Sequence, residues 1–259
     1  MKTKITKFNL MLAICLFALP ISLFAAAPAP EIYICGAGTV TLKYSGAYVL
    51  QTGDQVVWQK VTYNAGTDDY APAPGYSAVL KQYNGTASDT DLIVTGGSAT
   101  DLLNAPGEHF WRAHVIASSP IVCTGDVSPA INIYVLPTFT LALNSPITNY
   151  CNTGTTNNTK ATVTATVTPG STLPTGVSDF DYDWSGSTTG AGAVDPTDSK
   201  SFLMSSTTAG DYTIQAVAKY KTTYNGKNVK SQTGTPCEET KTTVIKVTNA
   251  PTQPTITVS

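Results

Sequence analysis

Charge is scarce in this chain: only 12% of its 259 residues are Asp, Glu, Lys or Arg. With a net charge of −2 it offers no broad field to nucleic acid. Histidine is scarcer still, at two residues, and neither stands in an H-E-x-x-H pair or beside a Gly-x-Ser-x-Gly elbow. No glycine loop of the phosphate-cradling type is present. Glutamates occur only at positions 31, 108, 238 and 239, so a glycosidase pair would have to be drawn from aspartates. These absences point away from an enzyme. Good helix formers are sparse beyond the N-terminal segment, while Thr, Val and Tyr suit strands and the 20 Gly and 16 Pro suit turns.

The N-terminus sets the compartment. Lys2, Lys4 and Lys7 precede an apolar run from Leu10 to Phe24, and Ala25, Ala26 and Ala27 supply small residues for cleavage. That order reads as a secretory signal over residues 1–27. The run is shorter than the ~20 residues a spanning helix needs, and Pro20 interrupts it, so no membrane span is expected after cleavage. Cys15 is set aside as a lipoprotein cysteine because bulky Ile14 precedes it. Loss of the signal removes three lysines and takes the net charge from −2 to −5. A secreted or cell-surface protein of about 230 residues follows, long enough for two ordinary domains.

Four cysteines remain: Cys35, Cys123, Cys151 and Cys237. An even number in an exported chain points to disulfides, and the wide spacing without a C-x-x-C pair argues against zinc.

The chain reads twice through one plan. Each half opens on proline (Pro28 and Pro30, or Pro137), then a cysteine (Cys35 or Cys151), then an alternating strand (Thr39 to Tyr44, or Ala161 to Val167). In the second of these strands Ala161, Val163, Ala165 and Val167 share one face and threonines the other, the period-two pattern of a sheet with one buried face. A tryptophan follows, Trp58 or Trp184, then a Gly-led strand from Gly107 or Gly210, then Cys123 or Cys237, then a closing strand at Ile131 to Val135 or Thr243 to Val247. The first cysteines of the halves are 116 residues apart and the second ones 114. Such repetition predicts two tandem all-β domains, 28–136 and 137–249, each an immunoglobulin-like β-sandwich. Residues 250–259, with Pro254 before the alternating Thr255-Ile256-Thr257-Val258, read as a linker or the first strand of a further repeat.

The order C-G-x-G-T-V-T-L, V-W-Q, P-G-E-H-F-W-R-A, C-T-G and I-N-I-Y-V resembles the Ig-like and PKD-like repeats of large bacterial surface proteins. The second half, with Tyr182-Asp183-Trp184-Ser185-Gly186 and Ala209-Gly210-Asp211-Tyr212-Thr213-Ile214, is nearer the PKD-like form. The resemblance implies a non-catalytic structural or adhesive module whose partners are other domains of the same or a longer surface protein. Cys35 and Cys151 precede their strands, unlike the first cysteine of antibody domains, which argues against an antibody-type inter-sheet bridge. The expected bridges are Cys35–Cys123 and Cys151–Cys237, with other pairings open.

Three surfaces are candidates for ligands. Tyr63, Tyr70, Tyr76 and Tyr83 lie in a Gly- and Pro-rich stretch, and exposed tyrosines can stack on sugar rings, so a carbohydrate-binding protein is the alternative function; their plainer role is to pack a long loop. Lys219, Lys221, Lys227 and Lys230 flank Tyr224-Asn225-Gly226, an Asn-Gly hairpin signal expected to project as a finger. Its lysines suit an anionic polysaccharide or, more plainly, keep an exposed strand from pairing. Asp179, Asp181 and Asp183 share one strand face, a Ca²⁺ candidate whose ordinary reading is a solvated outer face; no other cofactor is expected. His109 is expected to face inward with Trp111, and His114 outward.

Overall fold

A computed structural model describes residues 27–100, 103–118, 122–152, 160–231 and 237–251. Residues 1–26 of the expected signal and the expected strand within 252–259 lie outside the described residues. The first half forms β1 (Ile32–Cys35), β2 (Thr39–Leu42), β3 (Gln55–Asn64), β4 (Asp69–Pro72), β5 (Val79–Gln82), β6 (Leu92–Thr95), β7 (Gly107–Ala117), β8 (Cys123–Thr124) and β9 (Ile131–Val135). The second forms β10 (Phe139–Asn144), β11 (Asn149–Cys151), β12 (Thr162–Pro169), β13 (Phe180–Asp183), β14 (Gly192–Asp195), β15 (Asp198–Met204), β16 (Gly210–Tyr220), β17 (Thr223–Tyr224), β18 (Lys227–Ser231) and β19 (Glu238–Thr248). Helix among the described residues is limited to a single 3₁₀ turn at Ala87–Thr90.

The second half is a sandwich of two four-stranded sheets, β10-β12-β15-β14 over β11-β19-β16-β13. Alternation builds it: Ala161, Val163 and Ala165 turn inward and meet Ile214, Ala216 and Ala218 of β16 in one core. The opening strand divides between the sheets. Its first part, β10, runs antiparallel to β12; its second, β11, runs parallel to β19. That is the immunoglobulin arrangement.

The first half repeats the plan. The sheet β2-β6 covers the order β1-β9-β7-β3-β4, with β5 on β3 and β8 on β7, and β1 parallels β9 as β11 parallels β19. Its core joins Val40, Leu42, Leu92 and Val94 to Val56, Trp58, Trp111 and Val115. One piece has no counterpart: among the described residues nothing matches β10, and β2 pairs with β6 alone.

Both expected core tryptophans are buried, each 4% exposed, and each indole is satisfied. Trp58 Nε1 donates to Thr90 O at 2.8 Å and Trp184 Nε1 to Ser199 O at 3.0 Å. A buried indole pays for desolvation unless its N–H is bonded, so these bonds fix ring orientation as well as burial.

The expected disulfides are not the ones formed. Cys35 bonds Cys237, with their Cα atoms 5.5 Å apart. Strand direction explains why. Cys151 lies opposite Thr248 at the end of β19, whereas Cys237 precedes its start, so about ten extended residues, roughly 33 Å, separate them. A disulfide tolerates Cα separations of only about 7 Å. In the first sandwich Cys123 pairs with Ala117 at one end of β7, while Cys35 follows Ile34, the partner of Val135, which faces Gly107 at the other end. Parallel pairing of the opening and closing strands carries each first cysteine away from its own repeat's second one. The end of one sandwich then meets the start of the next.

Candidate functional site

The most built-up polar and aromatic constellation is the joint between the sandwiches. Strand alternation makes it. On β1, Ile34 faces the first core while Tyr33 and Cys35 face the second; on β9 and its extension, Ile133 and Val135 face the first while Tyr134 and Leu136 face the second. One corner of the first sandwich's larger sheet is therefore buried on both faces.

The Asn-Gly hairpin completes the joint. Asn225 and Gly226 sit at φ 51° and 73°, the left-handed pair of a type I′ turn, between β17 and β18. The hairpin does not project as expected. β18 lies parallel to β1, with Tyr33 opposite Val229 and Cys35 opposite Ser231, so a strand of the second half extends a sheet of the first. Rings continue the contact: Tyr134 and Tyr33 lie 6.2 Å apart, Tyr33 and Tyr224 5.9 Å at 76°, Tyr224 and Tyr220 6.3 Å, and Tyr220 and Phe139 5.2 Å at 90°. Their hydroxyls are anchored. Tyr220 donates to Pro137 O at 2.7 Å, Tyr224 to Asp179 O at 2.7 Å, and Tyr134 to Thr172 O at 3.2 Å. Desolvation pushes the Tyr224 phenol up to about 12, so it is neutral at physiological pH.

The four lysines have separate surroundings. Lys227 pairs with Glu31 across the joint, and Lys221 with Asp179 at 3.4 Å. Lys219 stands opposite Asp181 and Glu238, and Lys230 opposite Ile34. They do not form one cationic surface. The three aspartates are exposed, as an outer face should be. Asp179 meets Lys221, and Asp183 accepts from Ser185 N at 2.8 Å, which holds its carboxyl below the usual range. Among the described residues no group of three His, Cys, Asp or Glu is arranged to hold a metal.

The tyrosines divide likewise. Tyr63 and Tyr70 face each other across β3 and β4 at 5.2 Å and both lean on Phe110. Desolvation and a hydrogen bond to Asp68 push Tyr63 up to about 12. Tyr76 stands edge-on to buried Trp111 at 5.1 Å, and Tyr83 joins the Asp54 segment through backbone hydrogen bonds. His109 Nε2 lies 2.9 Å from Ala105 O, and burial pulls the ring down to about 4. His114 is also lowered, mainly by burial.

The chain is similar to extracellular repeat structures. Against extracellular domains 3–5 of Drosophila OTK it is 12% identical, covering 85% of this chain and 64% of that one, with a TM-score of 0.24. Against the protocadherin gammaB7 EC3-6 cis-dimer structure it is 10% identical over 86% of this chain and 46% of that one, with a TM-score of 0.31. The chain thus spans less than two thirds of either structure. No protein-family model matches the sequence, and no curated protein does.

One residue of consequence escaped the sequence reading. Asp54 is fully buried: its Oδ2 accepts from Gln51 N at 2.8 Å and the Tyr48 hydroxyl at 2.9 Å, and its Oδ1 from Ser118 N at 2.9 Å. The Gln51 and Ser118 amides hold its carboxyl below the ordinary carboxylate range. This carboxylate staples the turn before β3 to the end of β7. Its only sequence signal was Gly53-Asp54 at a turn. Trp111, by contrast, was expected to face inward and is wholly buried, with no acceptor for its Nε1 among the described residues.

Proposed function

We propose that the chain is a non-catalytic extracellular module of structural or adhesive type, exported by its N-terminal signal, in which sandwiches at 28–136 and 137–249 act as one rigid unit. The observation that carries the reading is the joint: a disulfide, a shared strand and a run of anchored rings fix the two halves at once. A module that only tethered its domains would need none of these, since inter-domain contacts are mobile unless large and apolar. Its partners are then other domains of a longer surface protein or a neighbouring surface molecule. A bacterial origin and a PKD-like type agree with the motif resemblance.

Spin labels on the outer faces of the two sandwiches test this. One narrow distance distribution is expected in the oxidised protein, with broadening in Cys35→Ser. A broad distribution in the oxidised protein overturns the reading. Sugar recognition is tested on a glycan array: reproducible binding lost in Tyr63→Ala and Tyr70→Ala would replace the structural role with carbohydrate binding.

A further inference from the structure

A groove runs along the side of the first sandwich. Two adjoining cavities, about 640 and 380 Å³, share Tyr44, Gly46, Ser128 and Pro129. One wall is the chain leaving β2, the other the chain entering β9. The lower cavity reaches Trp58 and Trp111 of the core, and the upper opens beside Cys123. Apolar groups lining the upper part are uncovered, Tyr48 being 44% exposed and Val127 48%, and next to lining residues in the chain Val49 is 76% and Val122 73% exposed. Trp111, at the floor, carries an indole N–H without an acceptor among the described residues.

The second sandwich shows what belongs there. Its β10 pairs with β12 on one side and lies against β19 on the other, burying Phe139 and Leu141. The groove occupies the same place, between the second and the closing strand, in the repeat where nothing among the described residues matches β10. Ten residues separate the starts of β10 and β11. Counted back from Ile32, that interval reaches Ser22, inside the run read as the export signal. Cleavage there would leave the first repeat one strand short.

The chain carries a second segment of the right sequence pattern. Pro254-Thr255-Ile256-Thr257-Val258 matches Pro137-Thr138-Phe139-Thr140-Leu141 at both threonines and the proline, with an apolar residue at each remaining position. We infer that the groove receives residues 254–258 of a second copy of this chain, with Ile256 and Val258 taking the places that Phe139 and Leu141 hold in the second sandwich. Side chains two apart on a strand project ~7 Å apart on one face, which suits two successive cavities. The insertion is strand addition: main-chain hydrogen bonds to the open edge supply affinity, and alternate side chains supply selectivity.

The donor must be another molecule. Thr248 lies about ten extended residues, some 33 Å, from the joint, because β19 begins there beside Cys237. Eight residues from Thr248 to Ile256 span at most about 29 Å, too short to return past the joint to the first sandwich. A donor end entering an acceptor start is heterologous and propagates head to tail. The inference depends on the shape of the first sandwich and not on the proposed structural role.

Two variants test it. Ile256→Asp with Val258→Asp removes the donor and leaves the groove; Val127→Arg blocks the groove at a half-exposed position and leaves the donor. By analytical ultracentrifugation the wild-type exported protein should form concentration-dependent oligomers. Each variant alone should be monomeric with an unchanged circular dichroism melt, and an equimolar mixture should form dimers and nothing larger. A synthetic peptide of residues 250–259 should raise the melting temperature of the donor-less variant and bind Val127→Arg at least tenfold more weakly. A wild type that stays monomeric, oligomers that survive both changes, a mixture that forms no dimer, or residues 22–26 retained and protected in the groove would each overturn the inference.

Discussion

The two sandwiches share a topology and differ in how well they are closed. In the second, β10 seals the flank, and Tyr33, Tyr134 and Leu136 of its neighbour cover the end where Cys237 lies. In the first, the flank is grooved, and the matching end leaves Val122 and Val127 exposed around the thiol of Cys123. The fold supplies the same places in both halves, and among the described residues only the second half fills them. Equivalent positions in a repeat are thus better judged by what covers them than by which residues occupy them.

The largest effect expected from this comparison lies in the cores. Trp58→Ala and Trp184→Ala should each cost about 3–5 kcal/mol in urea unfolding, through the cavity each leaves. Trp184→Ala should also loosen β1, since the second core includes Tyr33 and Cys35. Equal and strictly local damage from the two would show the joint to be weaker than its contacts suggest.

Next comes the joint. Cys35→Ser should cost about 2–4 kcal/mol and split one calorimetric transition into two, because the loop-closing link between the sandwiches is lost. Unchanged single-transition melting would mean that strand pairing and rings suffice. Gly226→Ala should cost about 1 kcal/mol, a side chain being strained at φ 73° in the turn that delivers β18. Hydrogen exchange should then quicken at β1 and not at β16.

Acid should separate the halves by the smallest margin. His109 is held at about 4 against an ordinary 6.5, so between those values the unfolded chain takes up a proton that the folded chain refuses. Stability of the first sandwich should therefore fall as pH drops from about 6.5 to about 4. Asp54, held below its ordinary value, contributes stability that is present above it and lost as pH falls further. The second sandwich has no histidine. In a Trp184→Phe background, where fluorescence reports the first sandwich, Asp54→Asn should flatten the lower window and His109→Gln the upper one.

Much of this fold was legible in the residues. The alternation at Ala161 to Val167, the two tryptophans and the Gly-led strands each marked a real element in its correct repeat position. The cysteine pairing was not legible, because nothing in a sequence states that the opening strand runs parallel to the closing one, and that direction alone decides which end each cysteine reaches. The docking of the hairpin was hidden by its lysines, which read as a solvated projection; in fact Lys227 finds Glu31 some 196 residues earlier in the chain. The tyrosines looked like one surface because they are close in sequence, yet β3 and β4 take two of them to the outer face while Tyr76 reaches Trp111.

The Cys35–Cys237 bond has a consequence under tension. A pull applied to the two ends of the chain passes along β1, crosses the sulfur atoms and leaves along β19. The residues between the two cysteines, which stand 202 positions apart, are outside that path. Roughly 700 Å of potential extension is withheld, at about 3.5 Å per residue. The load instead falls on β1, held between its parallel neighbours β9 and β18, and on β19, which antiparallel β16 holds from Glu238 to Val247 and parallel β11 at its end. Stretched from its ends, the molecule behaves as a short inextensible link.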